Sequence, residues 1–291
     1  MPENFDLSSP KDIKILFERY NLAPRRQLGQ NFLIDGNVVR KIVDAAEVKN
    51  ADSVIEVGPG AGALTVSLLK LGAKLLVIEI DSGLAGMLRD LFNGEERLTI
   101  VEEDVLQVNW CDLIANNFIA GNPIKLISNL PYIISAPFMY GLLKAGFPLA
   151  KAVLMFQKEV AQRLVCSPGD SVYGSLSVIT QYYTKGKMLF KVSNNVFWPR
   201  PKVGSAVIQL EPRKRTLEPP EEPLFWYLVQ GAFQQRRKTM LNNMIRLFPD
   251  LLRTELAAML ASASIEPSER PEMLSADQFA NLTRITYNEH K

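Results

Sequence analysis

The sequence of 291 residues contains a single histidine, His290, next to its last residue. Histidine is the commonest side chain in catalytic triads and zinc sites, so its scarcity argues against both kinds of chemistry. The two cysteines, Cys111 and Cys166, stand far apart and form no CxxC pair. Isolated thiols of this kind are typical of a reducing compartment. We therefore expect a cytoplasmic protein without a bound metal.

Long apolar runs are also missing. No run approaches the roughly 18–20 residues that a helix needs to cross a bilayer. The stretch from Met1 to Asp6 lacks the basic start and apolar core of a secretion signal, so we expect no membrane partner. Net charge is only +2, with 33 basic and 31 acidic residues. A polyanionic partner would therefore have to be bound by local clusters of charge.

Strand-like segments alternate with helical ones through the first two thirds of the chain. The predicted strands are 53–57, 75–78, 98–101, 126–128, 152–156, 190–192 and 206–210. This alternation predicts an α/β fold with a mostly parallel sheet covered on both faces, and an antiparallel pair at its end. Ser8 or Ser9 is expected to cap a first helix that begins at Pro10.

Composition changes at the stretch 211–223, which contains four prolines and seven charges and is typical of a linker. Beyond it the apolar residues recur at helical spacing only. We therefore predict two domains: an α/β domain, 1–212, and a small all-helical domain, 213–291.

A glycine turn follows the first predicted strand, with Gly58, Gly60 and Gly62 spaced to let backbone pass close to a ligand. Glu79 ends the second strand and can accept hydrogen bonds from both hydroxyls of a ribose. Asp104 follows the third strand and can accept from an adenine amine. This pattern fits a nucleoside cofactor, either NAD or S-adenosylmethionine. The absence of a proton relay argues against a dehydrogenase.

A second signal stands where the strand 126–128 ends, in the tetrapeptide Asn129-Leu130-Pro131-Tyr132. The amide oxygen of Asn129 and a backbone carbonyl at Leu130 or Pro131 could accept both N–H bonds of an exocyclic amine. Tyr132 would stack on the extruded base. The alternative for this tetrapeptide is an ordinary proline turn. Further along the chain, Phe197 could face Tyr132 across the base, and the alternative for Phe197 is a side chain in the apolar core.

Together these segments closely resemble the ribosomal RNA adenine dimethyltransferases, a family with KsgA, Dim and Erm branches. The matching segments are 29–33, 56–62, 78–81, Asp104, 129–132 and 197–203. The resemblance implies a Rossmann-like methyltransferase domain that binds S-adenosylmethionine. The cofactor-binding residues it implies are Asn31, Leu33, Gly58, Glu79, Asp104 and Asn129. The glycine turn adds Gly60 to this set. The catalytic residues it implies are Asn129, Leu130, Pro131, Tyr132 and Phe197.

Within the family, the segment 233–240 resembles the KsgA branch. This implies dimethylation of the N6 amines of two adjacent adenines in the 3′-terminal hairpin of small-subunit (16S) rRNA. The partner would be the small-subunit rRNA within an assembling 30S-type particle. The enzyme would bind it as a monomer. The Erm branch, which modifies large-subunit RNA, is the alternative. Two further hypotheses are a ribosome-assembly factor whose catalysis is incidental, and a nicotinamide oxidoreductase.

Basic residues form four short clusters: 25–26, Arg200 with Lys202, 213–215 and 236–238. Each alone is typical of a solvated surface. We expect the first, second and fourth to surround the catalytic mouth and bind RNA phosphates, which gives affinity without reading sequence.

Overall fold

The structure is a computed structural model that describes residues 5–119, 122–146 and 148–289. His290 and the first four residues of the segment assessed for a secretion signal lie outside these ranges. The chain divides into two compact units. The first comprises Met1–Ala161 and Lys187–Pro212, and the second comprises Gln162–Gly186 and Arg213–Lys291.

This division differs from the predicted one in a single segment, Gln162–Gly186. The prediction assigned it to the α/β domain because it precedes the linker. In the structure its helix, Ser175–Tyr183, packs against the helices Glu222–Gln234 and Ala276–Glu289 of the second unit. The chain therefore enters the helical unit, returns for the last strands of the sheet, and enters it again.

Nine strands and twelve α-helices occur among the described residues. The strands are β1 (Phe32–Leu33), β2 (Ser53–Val57), β3 (Lys74–Glu79), β4 (Leu98–Glu102), β5 (Ile124–Asn129), β6 (Leu149–Gln157), β7 (Thr184–Val192), β8 (Phe197–Trp198) and β9 (Ser205–Pro212). The helices are α1 (Pro10–Arg19), α2 (Gly36–Ala46), α3 (Ala63–Lys70), α4 (Ser82–Leu91), α5 (Trp110–Asn117), α6 (Ser135–Lys144), α7 (Lys158–Val165), α8 (Ser175–Tyr183), α9 (Glu222–Gln234), α10 (Met240–Leu247), α11 (Arg253–Ser262) and α12 (Ala276–Glu289).

The main sheet has the order β4-β3-β2-β5-β6-β9-β7. Its strands from β4 to β6 run parallel, and β9 pairs with β6 in the antiparallel direction. The predicted α/β fold is thus confirmed. The chain moves outward from β2 to β4 and then crosses to β5 on the other side of β2. A crevice opens at such a reversal, beyond the carboxyl ends of the two central strands.

Local sequence explains why the elements around this crevice begin where they do. Every residue of β2 is buried, as expected for a strand in the middle of a parallel sheet. The helix α1 is capped by Ser9, with Pro10 in its first turn. Asp35 caps α2 and Asp81 caps α4, each through two backbone N–H groups. These caps fix the helix N-termini that follow the loops of the crevice.

A two-stranded sheet outside the main one joins β1 to β8, with Leu33 opposite Phe197 and Phe32 opposite Trp198. The rings of Phe17, Phe32 and Trp198 form a cluster, and the centroids of the first two lie 4.9 Å apart. Aromatic pairs in this edge-to-face arrangement add stability beyond the area that they bury. The pair of strands therefore holds the segment before α2 against the α/β unit.

The second unit is helical, with α9, α10, α11 and α12 forming its core together with α8. Thr239 caps α10 through the Asn242 backbone N–H.

Both cysteines are free thiols, Cys111 exposed and Cys166 partly buried. No helix in the described part of the chain is both long and apolar enough to cross a membrane.

Candidate active site

A cavity of about 240 Å³ lies beyond the carboxyl ends of β2, β3, β4 and β5. The glycine turn after β2 and the 129–132 corner after β5 form part of its wall, together with the segment 28–33. All of these belong to the first unit. The position matches the crevice at which open parallel sheets bind their ligands.

The glycine turn brings bare backbone to the cavity. Gly58 and Gly60 both have left-handed backbones, with φ of +63° and +58°. A Cβ atom on Gly60 would lie 2.8 Å from Cδ1 of Phe32, and one on Gly58 would lie 3.2 Å from Cδ of Pro131. A side chain at Gly60 would collide with Phe32, and one at Gly58 would crowd Pro131. The positive φ values of both residues also favour glycine.

Charge on the cavity wall has one sign. Among the described residues that line it, the charged ones are Glu56, Glu79, Glu103 and Asp104, and none is basic. A dinucleotide carries two phosphates, which the ionised carboxylates of this wall would repel. The wall instead suits a ligand with a nucleoside part and a positive charge.

Glu79 is fixed at the end of β3. Its side chain is 5% exposed and accepts a hydrogen bond from the Asp81 backbone N–H at 2.9 Å, with further backbone bonds from Gly60 and Ile80. Burial, together with the nearby charge of Asp81, raises the pKa of Glu79 to about 7 against the opposing effect of these donors. Asp104 also lies on the wall, where its Oδ1 accepts from the Leu106 N–H at 3.0 Å.

The 129–132 corner begins with Asn129, whose Nδ2 donates to the Asn31 carbonyl oxygen at 3.1 Å. This bond fixes the amide so that its Oδ1 remains to accept a hydrogen from a ligand. The Pro131 carbonyl already accepts from the Ile134 N–H at 3.2 Å and the Ser135 hydroxyl at 3.3 Å. The Leu130 carbonyl has no such donor among the described residues. Of the two carbonyls considered from sequence, Leu130 is therefore the one able to accept from an amine.

Tyr132 is half-buried on the cavity wall and its ring is anchored at the far end. Its hydroxyl lies 2.6 Å from Oγ of Ser205, a buried residue at the start of β9. Burial raises the pKa of Tyr132, so the phenol stays neutral at physiological pH. One face of a ring held in this way can receive a planar base.

Phe197 is not among the cavity-lining residues. Its ring is 3% exposed and packs in the apolar core, on the strand that pairs with Leu33. The structure thus agrees with the core alternative for this ring and does not bring it together with Tyr132. The other site residues named from sequence all line the cavity, namely Asn31, Leu33, Gly58, Gly60, Glu79, Asp104, Asn129, Leu130, Pro131 and Tyr132.

Sequence reasoning missed Gln30, which also lines the cavity. Its Nε2 donates to Oδ2 of Asp81 at 3.0 Å, while its Oε1 accepts from the Arg25 backbone N–H at 2.8 Å. The Arg25 side chain pairs with the same Asp81 oxygen at 3.3 Å. Gln30 thereby ties the segment 25–31 to the start of α4. A glutamine 51 positions from its partner leaves no periodic signal that could have revealed this contact.

Comparison with known proteins decides the family. The sequence profile described as ribosomal RNA adenine dimethylase matches residues 21–287, nearly the whole chain. The chain belongs to this family. It is 40% identical to the ribosomal RNA small subunit methyltransferase A of Pediococcus pentosaceus, covering 97% of this chain and 96% of that protein. The protein of the same name from Ligilactobacillus salivarius is 41% identical, covering 96% and 95%.

Solved structures agree with this assignment. A dimethyladenosine transferase from Plasmodium falciparum superposes with a TM-score of 0.72 at 26% identity, covering 88% of this chain and 96% of that one. The 23S rRNA methyltransferase ErmE superposes with a TM-score of 0.66 at 25% identity, covering 88% and 99%.

The chain is accordingly a ribosomal RNA adenine dimethyltransferase, and the family uses S-adenosylmethionine. The cavity fits this cofactor, since the glycine cradle admits a nucleoside and the acidic wall suits a sulfonium cation. A group of three or more side chains able to hold a metal does not occur in the described part of the chain.

Proposed function

We propose that this enzyme dimethylates the N6 amines of two adjacent adenines in the 3′-terminal hairpin of small-subunit rRNA. The relatives named ribosomal RNA small subunit methyltransferase A match it at about 40% identity across both units. ErmE, named for 23S rRNA, reaches only 25%. The difference favours the small-subunit substrate over the Erm-type alternative.

The cofactor would be held by the residues that line the cavity: Asn31, Leu33, Gly58, Gly60, Glu79, Asp104 and Asn129. When bound, S-adenosylmethionine supplies an electrophilic methyl group, which the N6 lone pair accepts while sulfur keeps both electrons of the broken C–S bond. Glu79 would accept from the ribose hydroxyls and Asp104 from the cofactor's adenine amine.

The observation that carries the proposal is the pair of acceptors at the 129–132 corner. Because Nδ2 of Asn129 is committed to Asn31, its Oδ1 can accept one N–H of the adenine amine, and the Leu130 carbonyl can accept the other. Two acceptors draw the N6 lone pair out of conjugation and stabilise the positive charge that develops on nitrogen. The extra proton then leaves to water, so no strong base is required.

Tyr132 would hold the target base by stacking, a contact worth roughly 1–3 kcal/mol. The target adenine therefore has to leave its helix or lie in a loop. The role of Phe197 as a second stacking ring remains a prediction from the family resemblance, and it requires movement of β8, since the ring is buried in this conformation.

The RNA would be bound through exposed basic residues. Arg26, Arg200 and Lys202 of the first unit are exposed and form no ion pair with any described residue. Arg237 and Lys238 are the corresponding residues of the second unit, whereas Arg236 pairs with Glu272. We infer that the helical unit, 213–291 in the sequence-based division, contributes to binding RNA within an assembling 30S-type particle. The enzyme would act there as a monomer in the cytoplasm.

Replacement of Asn129 by alanine tests the mechanism. Loss of one catalytic hydrogen-bonding group typically lowers kcat by about 10²–10³-fold, and we expect a loss of this size. Binding to small subunits should persist, because Asn129 lies in the cavity and not among the basic residues. Exposed Asn93, replaced by alanine, is the matched control and should methylate normally. Unchanged methyl incorporation in the Asn129 variant would remove this residue from the mechanism.

A further inference from the structure

Glu56 lines the cavity but has no part in the reaction described above. It lies on β2 two residues before Gly58, and its side chain is 1% exposed. Its Oε2 accepts a hydrogen bond from the Thr65 hydroxyl of α3 at 2.7 Å. A charged side chain buried to this degree ordinarily has an ionic partner, and none of the described residues on the wall is a cation.

The groups that face Glu56 make its ionised form costly. Burial raises its pKa to about 8, the Thr65 hydroxyl lowers it, and the like charge of Glu79 on β3 raises it. The other charged side chains of the wall, Glu103 and Asp104, are also acidic. S-adenosylmethionine and S-adenosylhomocysteine share an ammonium and a carboxylate, which balance each other, so only the donor has a net positive charge. The donor would therefore relieve this repulsion more than the product, whose net charge is zero.

We propose that Glu56 makes the cavity distinguish the cationic methyl donor from the neutral thioether product. The inference rests on the proposed function, because it assumes that S-adenosylmethionine enters this cavity. With the sulfonium present, Glu56 is ionised and has a counter-ion. With S-adenosylhomocysteine present, Glu56 takes a proton from solvent instead, and the product binds less tightly. Release of the spent cofactor between successive methylations follows from this difference.

Glu56 is better suited to this role than the other acidic groups of the wall. Glu79 is satisfied by three backbone donors and Asp104 by the Leu106 N–H. Glu79 and Asp104 would also contact the ribose and the adenine, which the donor and the product have in common. Glu103 is exposed, so water screens its charge.

The test is titration calorimetry of the full chain with S-adenosylmethionine and S-adenosylhomocysteine. Sinefungin, which carries a protonated amine in place of the sulfonium, serves as a second, unreactive cation. A nearby opposite charge shifts the pKa of a carboxyl by about one to three units, and each unit is about tenfold in relative affinity. Glu56→Gln should therefore reduce the preference for both cations over the neutral product by about tenfold or more.

Glu103→Gln is the matched control, since it removes the same formal charge from the exposed rim. The preference should change by less than about twofold because solvent screens that position. An equal loss in both variants, or no loss in Glu56→Gln, would overturn the proposal. Glutamine can still accept from Thr65, and thermal unfolding of the variant checks that it folds.

A measurement on the unaltered protein covers the case in which the variant does not fold. At pH 7, below the raised pKa, Glu56 must lose its proton to meet a cation but not to meet a neutral ligand. Calorimetry in two buffers of different ionisation enthalpy should show sinefungin releasing up to one proton more than S-adenosylhomocysteine. Its affinity should rise with pH until about pH 8 and then level off. Equal proton release would contradict the inference.

The outcomes separate this inference from the proposed function. If neither S-adenosylmethionine nor its product binds, the proposed function fails and the inference fails with it. If both ligands bind and Glu56→Gln leaves the ratio of their affinities unchanged, only the inference is overturned.

Discussion

Gly60 has a left-handed backbone and Phe32 as an immediate neighbour, so two independent effects oppose any side chain there. We expect Gly60→Ala to weaken binding of S-adenosylmethionine strongly and to lower the free energy of unfolding by about 1–3 kcal/mol. The matched control is Gly86→Ala, because a Cβ there has nothing within 4 Å and Gly86 lies inside α4. That change should stabilise the protein by up to about 1 kcal/mol. Thermal unfolding and calorimetric titration measure both effects, and equal behaviour of the two variants would contradict this reading.

We expect the Tyr132 hydroxyl to act as a positioning group, since it is bonded to Ser205. Tyr132→Phe should keep the stacking surface and lose the anchor, which costs about 0.5–1.5 kcal/mol of stability. We expect kcat to fall with little change in KM for the RNA, whereas Tyr132→Ala should raise KM as well because stacking is lost. Steady-state kinetics with both variants checks this. Ser205→Ala should reproduce the phenylalanine variant, and a fully active Ser205→Ala would argue against the anchor.

At the scale of elements, Gln30 supplies one of several contacts that hold the segment 25–33, beside the Arg25–Asp81 ion pair and the pairing of β1 with β8. Gln30→Ala removes the bonds to Asp81 and to the Arg25 backbone but leaves Asp81 as the cap of α4. Hydrogen bonds to charged groups contribute about 1.5–3 kcal/mol, so the segment should open more often. Hydrogen–deuterium exchange should rise across 25–33 and binding of S-adenosylmethionine should weaken. Exposed Gln27, replaced by alanine on the same segment, should change neither.

The strands of the sheet were predictable from sequence because most are short apolar runs between turn residues, whereas the lysine-containing β7 was predicted only over its last three residues, 190–192. The prediction for 53–57 matches β2, and the other predicted strands fall inside β3, β4, β5, β6, β7 and β9. The pairing of β1 with β8 was not predicted, since two residues in each strand are too short for a periodic pattern. Their pairing depends on the ring cluster around Phe32, which only the folded chain brings together.

At the scale of the whole molecule, the sequence located most of the cavity but not its charge balance. The cavity residues follow strands or glycines and so leave local signals, whereas the uniformly acidic wall arises from β2, β3 and β4 meeting in space. The inclusion of Gln162–Gly186 in the helical unit was likewise hidden, because the composition change that marks a linker occurs only after 211.

Because the net charge of the chain is small, binding to RNA phosphates depends on local basic residues. If Arg26, Arg200 and Lys202 each meet one phosphate, neutralising any of them should reduce the slope of log affinity against log salt by about 1. Filter binding to small-subunit RNA between 50 and 200 mM salt, about the range over which such contacts are lost, measures the slope. Lys70 on α3 is an exposed control lysine and should leave it unchanged. A flat salt response in the unaltered protein would count against the phosphate contacts.

We expect the acceptors at Asn129 and Leu130 to direct methyl groups to N6 of two neighbouring adenines in small-subunit rRNA. The most direct measurement is incorporation of tritiated methyl groups into purified small and large subunits that lack the modification, followed by mapping of the labelled nucleotides. We expect N6,N6-dimethyladenine at both adenines of the 3′-terminal hairpin and no label on large subunits. Label on large-subunit RNA, or on another atom of the base, would contradict it.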